Sequence, residues 1–245
     1  MRAEFNNDRA QEPDNGAAHA MHALVAKRQT PAVIAPAKPT MRLLIAHDPF
    51  DPHCENVRAL RTELLLRRET VDQADVVALL SPGVGEGRSQ LAAELAISFA
   101  QLGRPTLLVD ADLRHPNQHV LFGAGNPVGL SQAIERGGTP HLHSVEGLRH
   151  LSLLTAGPAP DNPLELLLNS RFAALIEEWR RSFDFVILDT APVTHYSDGL
   201  AVASLVGRVI ALSRAKHTPY KDSRDMLRRL AATRSQIVGA VINHF

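Results

Sequence analysis

The stretch Ser81–Gln90, SPGVGEGRSQ, has the residue types of a loop that binds phosphate. It follows the apolar run VVALL (76–80) and opens a predicted helix near Arg88, which is the strand, loop and helix order that such a loop needs. Its glycines allow backbone conformations that other residues avoid, so successive N–H groups can point at one anion. We therefore predict that ATP binds to residues 83–90, namely Gly83, Val84, Gly85, Glu86, Gly87, Arg88, Ser89 and Gln90.

Two positions depart from the usual phosphate loop. Pro82 stands where glycine is usual, and Arg88 stands where lysine is usual. A guanidinium keeps the positive charge of lysine but is planar and bulkier, so its reach to the β- and γ-phosphates is not equivalent. Taken alone, the loop is also compatible with a glycine-rich turn that has no ligand.

Three carboxylates follow two further apolar runs. TLLVDADLRHP (106–116) contains Asp110 and Asp112, and FVILD (185–189) ends in Asp189. In open α/β sheets ligands bind at the carboxyl ends of the strands, so these acids are placed to share one magnesium ion or one proton. The alternative is that these acids are solvated side chains at ordinary strand ends. It requires that both strand ends, and also the glycine-rich loop, have no ligand.

Short apolar runs alternate with longer helical patterns along the chain. The runs are residues 76–80, 106–110, 151–155, 185–189, 208–212 and 237–242, and the predicted helices are about 54–68, 88–102, 129–136, 163–180, 197–205 and 219–234. This alternation predicts an α/β fold, a three-layer sandwich of the P-loop NTPase type with a mostly parallel central sheet and helices on both faces. Residues 1–40 are predicted to be a disordered tail and linker, and residues 41–245 the domain.

Composition narrows the class of protein. Lys and Arg balance Asp and Glu at 26 each, so no overall charge favours nucleic acid. The single cysteine, Cys54, has no partner for an intramolecular disulfide, which fits a reducing cytoplasm. No run approaches the roughly 20 apolar residues of a membrane helix, so we expect membrane attachment only through a partner.

The segment CENVRALRTELLLRR (54–68) predicts an amphipathic helix with a charged stripe. Its apolar residues fall on one helical face. The charged stripe, formed by Glu55, Arg58 and Arg61, falls on another face. A solvated helix face is the usual interpretation of such a pattern, and a surface for assembly is the other.

Taken in order, these motifs resemble those of the bacterial tyrosine kinases. SPGVGEGRS resembles the family's Walker A loop, LLVDADLRHP its Walker A′ strand and VILDTAP its Walker B strand. ENVRALR (55–61) resembles the E-x-x-R-x-x-R helix through which the family assembles into rings. The resemblance covers about residue 45 to the end, and within the family it is closest to exopolysaccharide chain-length-determinant kinases of the EpsG type.

The resemblance implies an ATP-dependent protein-tyrosine autokinase that uses Mg²⁺ and regulates chain length, polymerisation and export of an exopolysaccharide. It implies a membrane-anchored chain-length-determinant protein as partner, and a cytoplasmic location at the inner face of the plasma membrane. The implied site residues are Arg88, Asp110 and Asp112 for catalysis, Ser89, Asp110 and Asp189 for the metal, and Glu55, Arg58 and Arg61 for a homo-oligomeric ring.

Two other functions share this fold. An ATP-binding switch or scaffold that transfers no phosphate to tyrosine is favoured by Arg88 and by the scarcity of tyrosine, since only Tyr196 and Tyr220 are present and both are expected to be structural. A ParA- or MinD-like ATPase ranks low, because Gly83 stands where those proteins resemble one another in carrying a lysine.

Overall fold

The computed structural model describes residues 36–48, 50–68 and 74–244. Residues 1–35 of the predicted tail therefore lie outside the described residues. Residues 36–40 pack against the domain: Ala37 is fully buried, its N–H donates to the carbonyl of Ser144 at 2.7 Å, and its carbonyl accepts from the N–H of Glu146 at 2.7 Å. The folded part of the described chain thus includes residues ahead of the predicted start at residue 41.

The described chain passes repeatedly between strands and helices, as predicted. In chain order they are α1 (Leu44–His47), α2 (Pro52–Leu66), β1 (Asp75–Leu80), α3 (Arg88–Ala100), β2 (Thr106–Asp110), α4 (Gln118–Leu121), α5 (Leu130–Arg136), β3 (His143–Val145), β4 (Leu148–Leu154), α6 (Pro163–Leu167), α7 (Ser170–Ser182), β5 (Phe185–Asp189), α8 (Asp198–Val206), β6 (Arg208–Arg214), α9 (Tyr220–Ala231) and β7 (Gln236–Asn243).

The strands form one sheet in the order β3-β4-β2-β5-β1-β6-β7. Among the described strands only β3 pairs antiparallel, with β4, so the predicted mostly parallel sheet is confirmed. Apolar residues cover both faces, because Val76, Ala78 and Leu80 join one core while Val77 and Leu79 join the other. The first core contains residues of α5 to α9 and the second contains residues of α1 to α4, which gives the predicted three layers.

The structure differs from the sequence-based prediction at short elements. The helix predicted over residues 163–180 is two helices, α6 and α7, and the side chain of Asn169 accepts from the N–H of Arg171 to start the second. Helices α1 and α4 and strand β3 have only three or four residues each. Such lengths are too short for an apolar period to reveal them.

Strand pairing places the predicted acids together. β2 and β5 run side by side with Asp110 opposite Asp189, and β5 also pairs with β1, where Leu79 is opposite Asp189. The loop that follows β1 therefore leaves the sheet beside Asp189. Residues that are far apart in the sequence meet at one sheet edge because the strands are parallel and end there together.

Candidate nucleotide site

The predicted phosphate loop lines a cavity of about 520 Å³. Residues 84–90 form one wall, and the other lining residues are Arg42, Asp112, His115, Pro116, Asn117, Leu121 and Pro192. Gly85 and Gly87 have φ of 74° and 90°, a region that favours glycine, and Gly87 is the residue before the first turn of α3. The loop thus delivers the N-terminus of a 13-residue helix to the cavity, where anions are favoured.

Glu86 is predicted to contact nucleotide. In the structure its buried carboxylate stabilises the phosphate loop through hydrogen bonds. Its Oε1 accepts from the N–H of Gly83 at 3.1 Å and from the hydroxyl of Thr218 at 2.8 Å. Its carbonyl accepts from the side-chain amide of Asn243 at 3.0 Å. The loop is therefore tied to the segment after β6 and to the end of β7.

Arg88 lies in the wall of the cavity with its guanidinium turned toward the acids, and only 8% of the residue is exposed. Its Nε donates to Oδ1 of Asp189 at 3.1 Å, its Nη2 to Oδ2 of Asp112 at 3.1 Å, and its Nη1 to Oγ of Ser81 at 2.7 Å. One planar cation bridges two carboxylates and a hydroxyl, a geometry that suits arginine more than lysine. We call Arg88, Asp110, Asp112 and Asp189 the Arg88 cluster.

The two acids that follow β2 have different surroundings. Asp110 is fully buried, and its carboxylate accepts from the backbone N–H groups of Asp112, Asn117 and Gln118 at 3.3, 3.0 and 2.9 Å. Asp110 therefore holds the start of α4. Asp112 lines the cavity, so it is the better placed of the two to meet a substrate, and a direct metal contact from Asp110 stays a prediction.

Burial shifts the ionisation of the cluster. It raises the pKa of Asp110 well above its usual range, and the neighbouring charge of Asp189 adds to the rise. Burial also raises the pKa of Asp189, against the opposing effects of the Arg88 charge and of hydrogen bonds from Ser89 and Gln118. Two adjacent buried carboxylates beside one cation favour uptake of a proton or of a further cation.

Sequence reasoning missed Gln118. Its Nε2 donates to Oδ2 of Asp189 at 2.8 Å and to the carbonyl of Ser89 at 2.9 Å. The residue is fully buried, and among the described residues its Oε1 has no hydrogen-bond partner. No recognised motif contains this position, and the four-residue helix that presents it has no detectable apolar period.

The donor set around Asp189 suits magnesium. Mg²⁺ prefers oxygen ligands, and the hydroxyl of Ser89 and the carboxylate of Asp189, which are hydrogen-bonded to each other, are both oxygen donors. No group of three or more His, Cys, Asp or Glu side chains suited to a metal occurs in the part of the chain that the structure describes. The residues present therefore fit an ion that keeps several ligands from water or phosphate.

The predicted charged stripe lies on α2 and divides into two parts. Arg58 donates to the Glu55 carboxylate at 3.3 Å, and the Glu55 side chain is 75% exposed. Arg61 instead turns toward α3, where its Nη1 donates to the carbonyl of Ser98 at 2.9 Å and to its hydroxyl at 3.1 Å. Glu55 is thus exposed on the helix surface, whereas Arg61 joins two helices of its own chain.

A phosphate loop between β1 and α3, with acids at the ends of β2 and β5, defines a P-loop NTPase fold. Comparison with known proteins identifies the family. The putative tyrosine-protein kinase CapB of Staphylococcus aureus is 30% identical over 213 residues, which cover 86% of this chain and 92% of that protein. The tyrosine-protein kinase YwqD of Bacillus subtilis (strain 168) is 34% identical over 199 residues, covering 80% and 83%. The chain belongs to the bacterial tyrosine-protein kinase family.

Solved structures support this assignment. The chimerical protein CapA2B2 matches with a TM-score of 0.78 and 30% identity, covering 87% of this chain and 93% of that one. The septum site-determining protein MinD of Pyrococcus horikoshii OT3 matches with a TM-score of 0.59 and 16% identity, a likeness of fold alone. No protein-family model matches the chain.

Proposed function

We propose that this chain transfers the γ-phosphoryl group of ATP to a tyrosine hydroxyl. The observation that supports this best is the Arg88 cluster beside a cavity lined by a phosphate loop, in a chain of the tyrosine-kinase family. Phosphoryl transfer needs little covalent chemistry from the protein, so that positioning and charge neutralisation supply most of the rate. A backbone nest, one arginine and two acids provide these functions.

Each group has a role in this proposal. The N–H groups of residues 84–90, at the N-terminus of α3, bind the phosphates. Asp112, at the cavity wall, orients the tyrosine hydroxyl and accepts its proton. Asp110 positions α4 and with it Gln118. Ser89 and Asp189 would hold Mg²⁺, which neutralises charge on the β- and γ-phosphate oxygens when bound.

Arg88 can serve the acids and the phosphates together. A guanidinium has five N–H groups, and the bonds to Ser81, Asp112 and Asp189 use three of them. One N–H on each Nη remains, and the residue lines the cavity. We therefore infer that Arg88 keeps Asp112 in place while it contacts phosphate, so arginine here is compatible with a working site.

We further propose that the kinase acts with a membrane-anchored chain-length-determinant protein in exopolysaccharide polymerisation and export, at the inner face of the plasma membrane and as a ring of copies. Similarity to CapB, to EpsB of Ralstonia nicotianae and to the chimera CapA2B2 supports this setting. EpsB is a longer protein, of which the match covers 27%. No helix in the described ranges is long and apolar enough to cross a membrane.

A nucleotide-dependent switch without phosphotransfer is the second candidate. The observation that favours it is the position of the Arg88 guanidinium, which is bonded to two acids in this structure. If ATP binding leaves these bonds unchanged, nucleotide occupancy can alter assembly without any transfer of phosphate.

One experiment separates the two functions. The purified chain, with and without the cytoplasmic fragment of its membrane partner, is mixed with Mg²⁺, γ-labelled ATP and a copolymer of glutamate and tyrosine. We expect phosphotyrosine on the copolymer, reduced about 10²- to 10⁴-fold by Asp112→Asn because that change removes the proton acceptor. The matched control is Asp161→Asn, an exposed acid outside the cavity lining. Intact ATP binding without phosphotyrosine in either mixture would favour the switch.

A further inference from the structure

The two tyrosines of the sequence lie in contrasting surroundings. Tyr196 is half-buried, and the guanidinium carbon of Arg114 lies 4.2 Å from the centroid of its ring. Arg114 is itself fixed, since its Nε donates to both carboxylate oxygens of buried Asp198 at 3.1 Å. This stack gives the Tyr196 ring a structural role, so that moving its hydroxyl into another active site requires breaking a cation–π contact.

Tyr220 is presented to solvent instead. It is the first residue of α9 and is 80% exposed. The helix behind it is anchored, because Met226 and Leu230 are buried in the core. Tyr220 is not among the described residues that line the cavity, so its phenol is accessible from outside rather than enclosed in its own nucleotide site.

The segment before Tyr220 is attached to the phosphate loop. Arg214 donates to the carbonyl of Gly85 at 3.0 Å, His217 Nε2 lies 3.2 Å from the carbonyl of Val84, and Thr218 donates to Glu86 at 2.8 Å. Tyr220 follows this segment by two residues. Tyr220 is therefore joined through a short, hydrogen-bonded segment to the loop that binds nucleotide, and its side chain is 80% exposed.

The surroundings of Tyr220 also suit a phosphate once it is attached. The N-terminus of a 12-residue helix favours negative charge. Arg224, at i+4, lies on the same face of α9, where its Nη2 is 3.6 Å from a carboxylate oxygen of Asp225, and Lys221 and Lys216 are exposed nearby in the sequence. The helix N-terminus and these basic residues favour a phosphate on Tyr220, against the negative charges of Asp222 and Asp225.

We propose that Tyr220 is the residue that one copy of this chain phosphorylates on another. The inference rests on the proposed kinase function. The Tyr220 oxygen attacks the γ-phosphorus of ATP held by the other copy, and a new P–O bond forms. The bond from the γ-phosphorus to the β–γ bridging oxygen breaks, ADP leaves, and the phenolic proton passes to Asp112 of the active copy and then to solvent. The expectation that Tyr220 is only structural is thereby revised.

The test uses the full chain as wild type, Tyr220→Phe and Tyr196→Phe, each incubated with Mg²⁺ and ATP, with and without the cytoplasmic fragment of the membrane partner, and analysed by peptide mass spectrometry. A parallel reaction supplies the glutamate–tyrosine copolymer. We expect phosphotyrosine at residue 220 in wild type and in Tyr196→Phe, and loss to background in Tyr220→Phe, while all three proteins phosphorylate the copolymer. Phosphate at Tyr196, or phosphotyrosine retained in Tyr220→Phe, overturns the proposal.

The copolymer reaction distinguishes a failure of the kinase function from a failure of the Tyr220 assignment. Copolymer phosphorylation with an unmodified chain leaves the kinase function standing and overturns the assignment of Tyr220, whereas no phosphotyrosine anywhere overturns both. Transfer between copies is tested by mixing Asp112→Asn, which keeps Tyr220, with tagged Tyr220→Phe, which keeps the active site. Phosphate on the Asp112→Asn chain is expected, and its absence in a mixture where wild type is modified overturns transfer between copies.

Discussion

The Arg88 cluster and the charged stripe of α2 are both predicted from charged residues in a motif, yet the structure treats them in opposite ways. In the Arg88 cluster the side chains of Asp112 and Asp189 are 4% and 0% exposed, and one arginine bridges them. In the charged stripe Arg58 faces the 75% exposed Glu55 across one helical turn. A motif therefore identifies which residues matter, while burial decides how much each charge contributes to stability.

The energetic difference follows from solvation. Removing one partner of a buried ion pair leaves an uncompensated charge and costs about 3–5 kcal/mol. An exposed pair at i,i+3 or i,i+4 on a helix contributes well under about 1 kcal/mol, because water and salt screen it. Substitutions in the Arg88 cluster should therefore cost more stability than substitutions in the charged stripe.

Arg88→Met should lower the free energy of unfolding by about 3–5 kcal/mol, because Asp112 and Asp189 lose their shared cation in a buried site. Urea unfolding without Mg²⁺ measures this loss. Glu55→Gln is the control on the charged stripe, where the Glu55 side chain is 75% exposed, and should cost less than about 1 kcal/mol. Adding Asp189→Asn to Arg88→Met should recover part of the loss, since it removes the unpaired charge. Equal losses for Arg88→Met and Glu55→Gln would contradict the contrast.

Burial of Asp110 makes the free energy of unfolding depend on pH. Burial raises the folded-state pKa of Asp110 above the unfolded value of about 3.9. Between those two pKa values the folded chain binds more protons than the unfolded chain, so the contribution of Asp110 to stability falls as pH rises through this window. Asp110→Asn removes the ionisation. Relative to wild type, the variant should therefore gain stability as the pH rises above about 4.

Urea unfolding in the presence of a metal chelator, at several pH values in that range, measures the difference between the two proteins. The neutral amide also loses one acceptor for backbone N–H groups, which lowers stability at every pH, so only the change with pH reports the ionisation. Asp161→Asn, an exposed acid, serves as control and should differ from wild type by a constant amount. A constant difference for Asp110→Asn would show that its carboxyl ionises normally.

The sequence predicts the sheet and the phosphate loop well, for physical reasons. Strands β1, β2, β5 and β6 have continuous apolar runs, since both faces of the sheet are covered there, whereas β7 lies at the edge and is largely exposed. Glycine is favoured where Gly85 and Gly87 adopt positive φ. The direction of the Arg88 side chain was not predictable, because it depends on acids that are 24 and 101 positions away in the sequence. Gln118 was missed since its role arises only from the pairing of β2 with β5.

The same limit applies to Arg61. The E-x-x-R-x-x-R spacing places it beside Glu55 and Arg58 on one face of the helix. Its bonds to Ser98 come from the packing of α2 on α3, which no local pattern contains. A substitution at Arg61 therefore lowers the stability of the chain as well as altering any surface for assembly. Replacing Glu55, Arg58 and Arg61 together would not distinguish lost stability from lost assembly.

The smallest expected effect on stability is the sharpest test of assembly. Glu55→Ala with Arg58→Ala should leave the free energy of unfolding within about 1 kcal/mol of wild type, because the Glu55 side chain of this pair is 75% exposed and water screens it. If the charged stripe joins copies into a ring, the same double variant should shift the mass measured by light scattering toward that of a monomer. Arg61→Ala should instead lower stability by about 1–3 kcal/mol, since it removes a charged donor from two bonds to Ser98. An unchanged mass for the Glu55 and Arg58 double variant would reject the assembly surface, and because that variant keeps its fold, the result would not be confounded by unfolding.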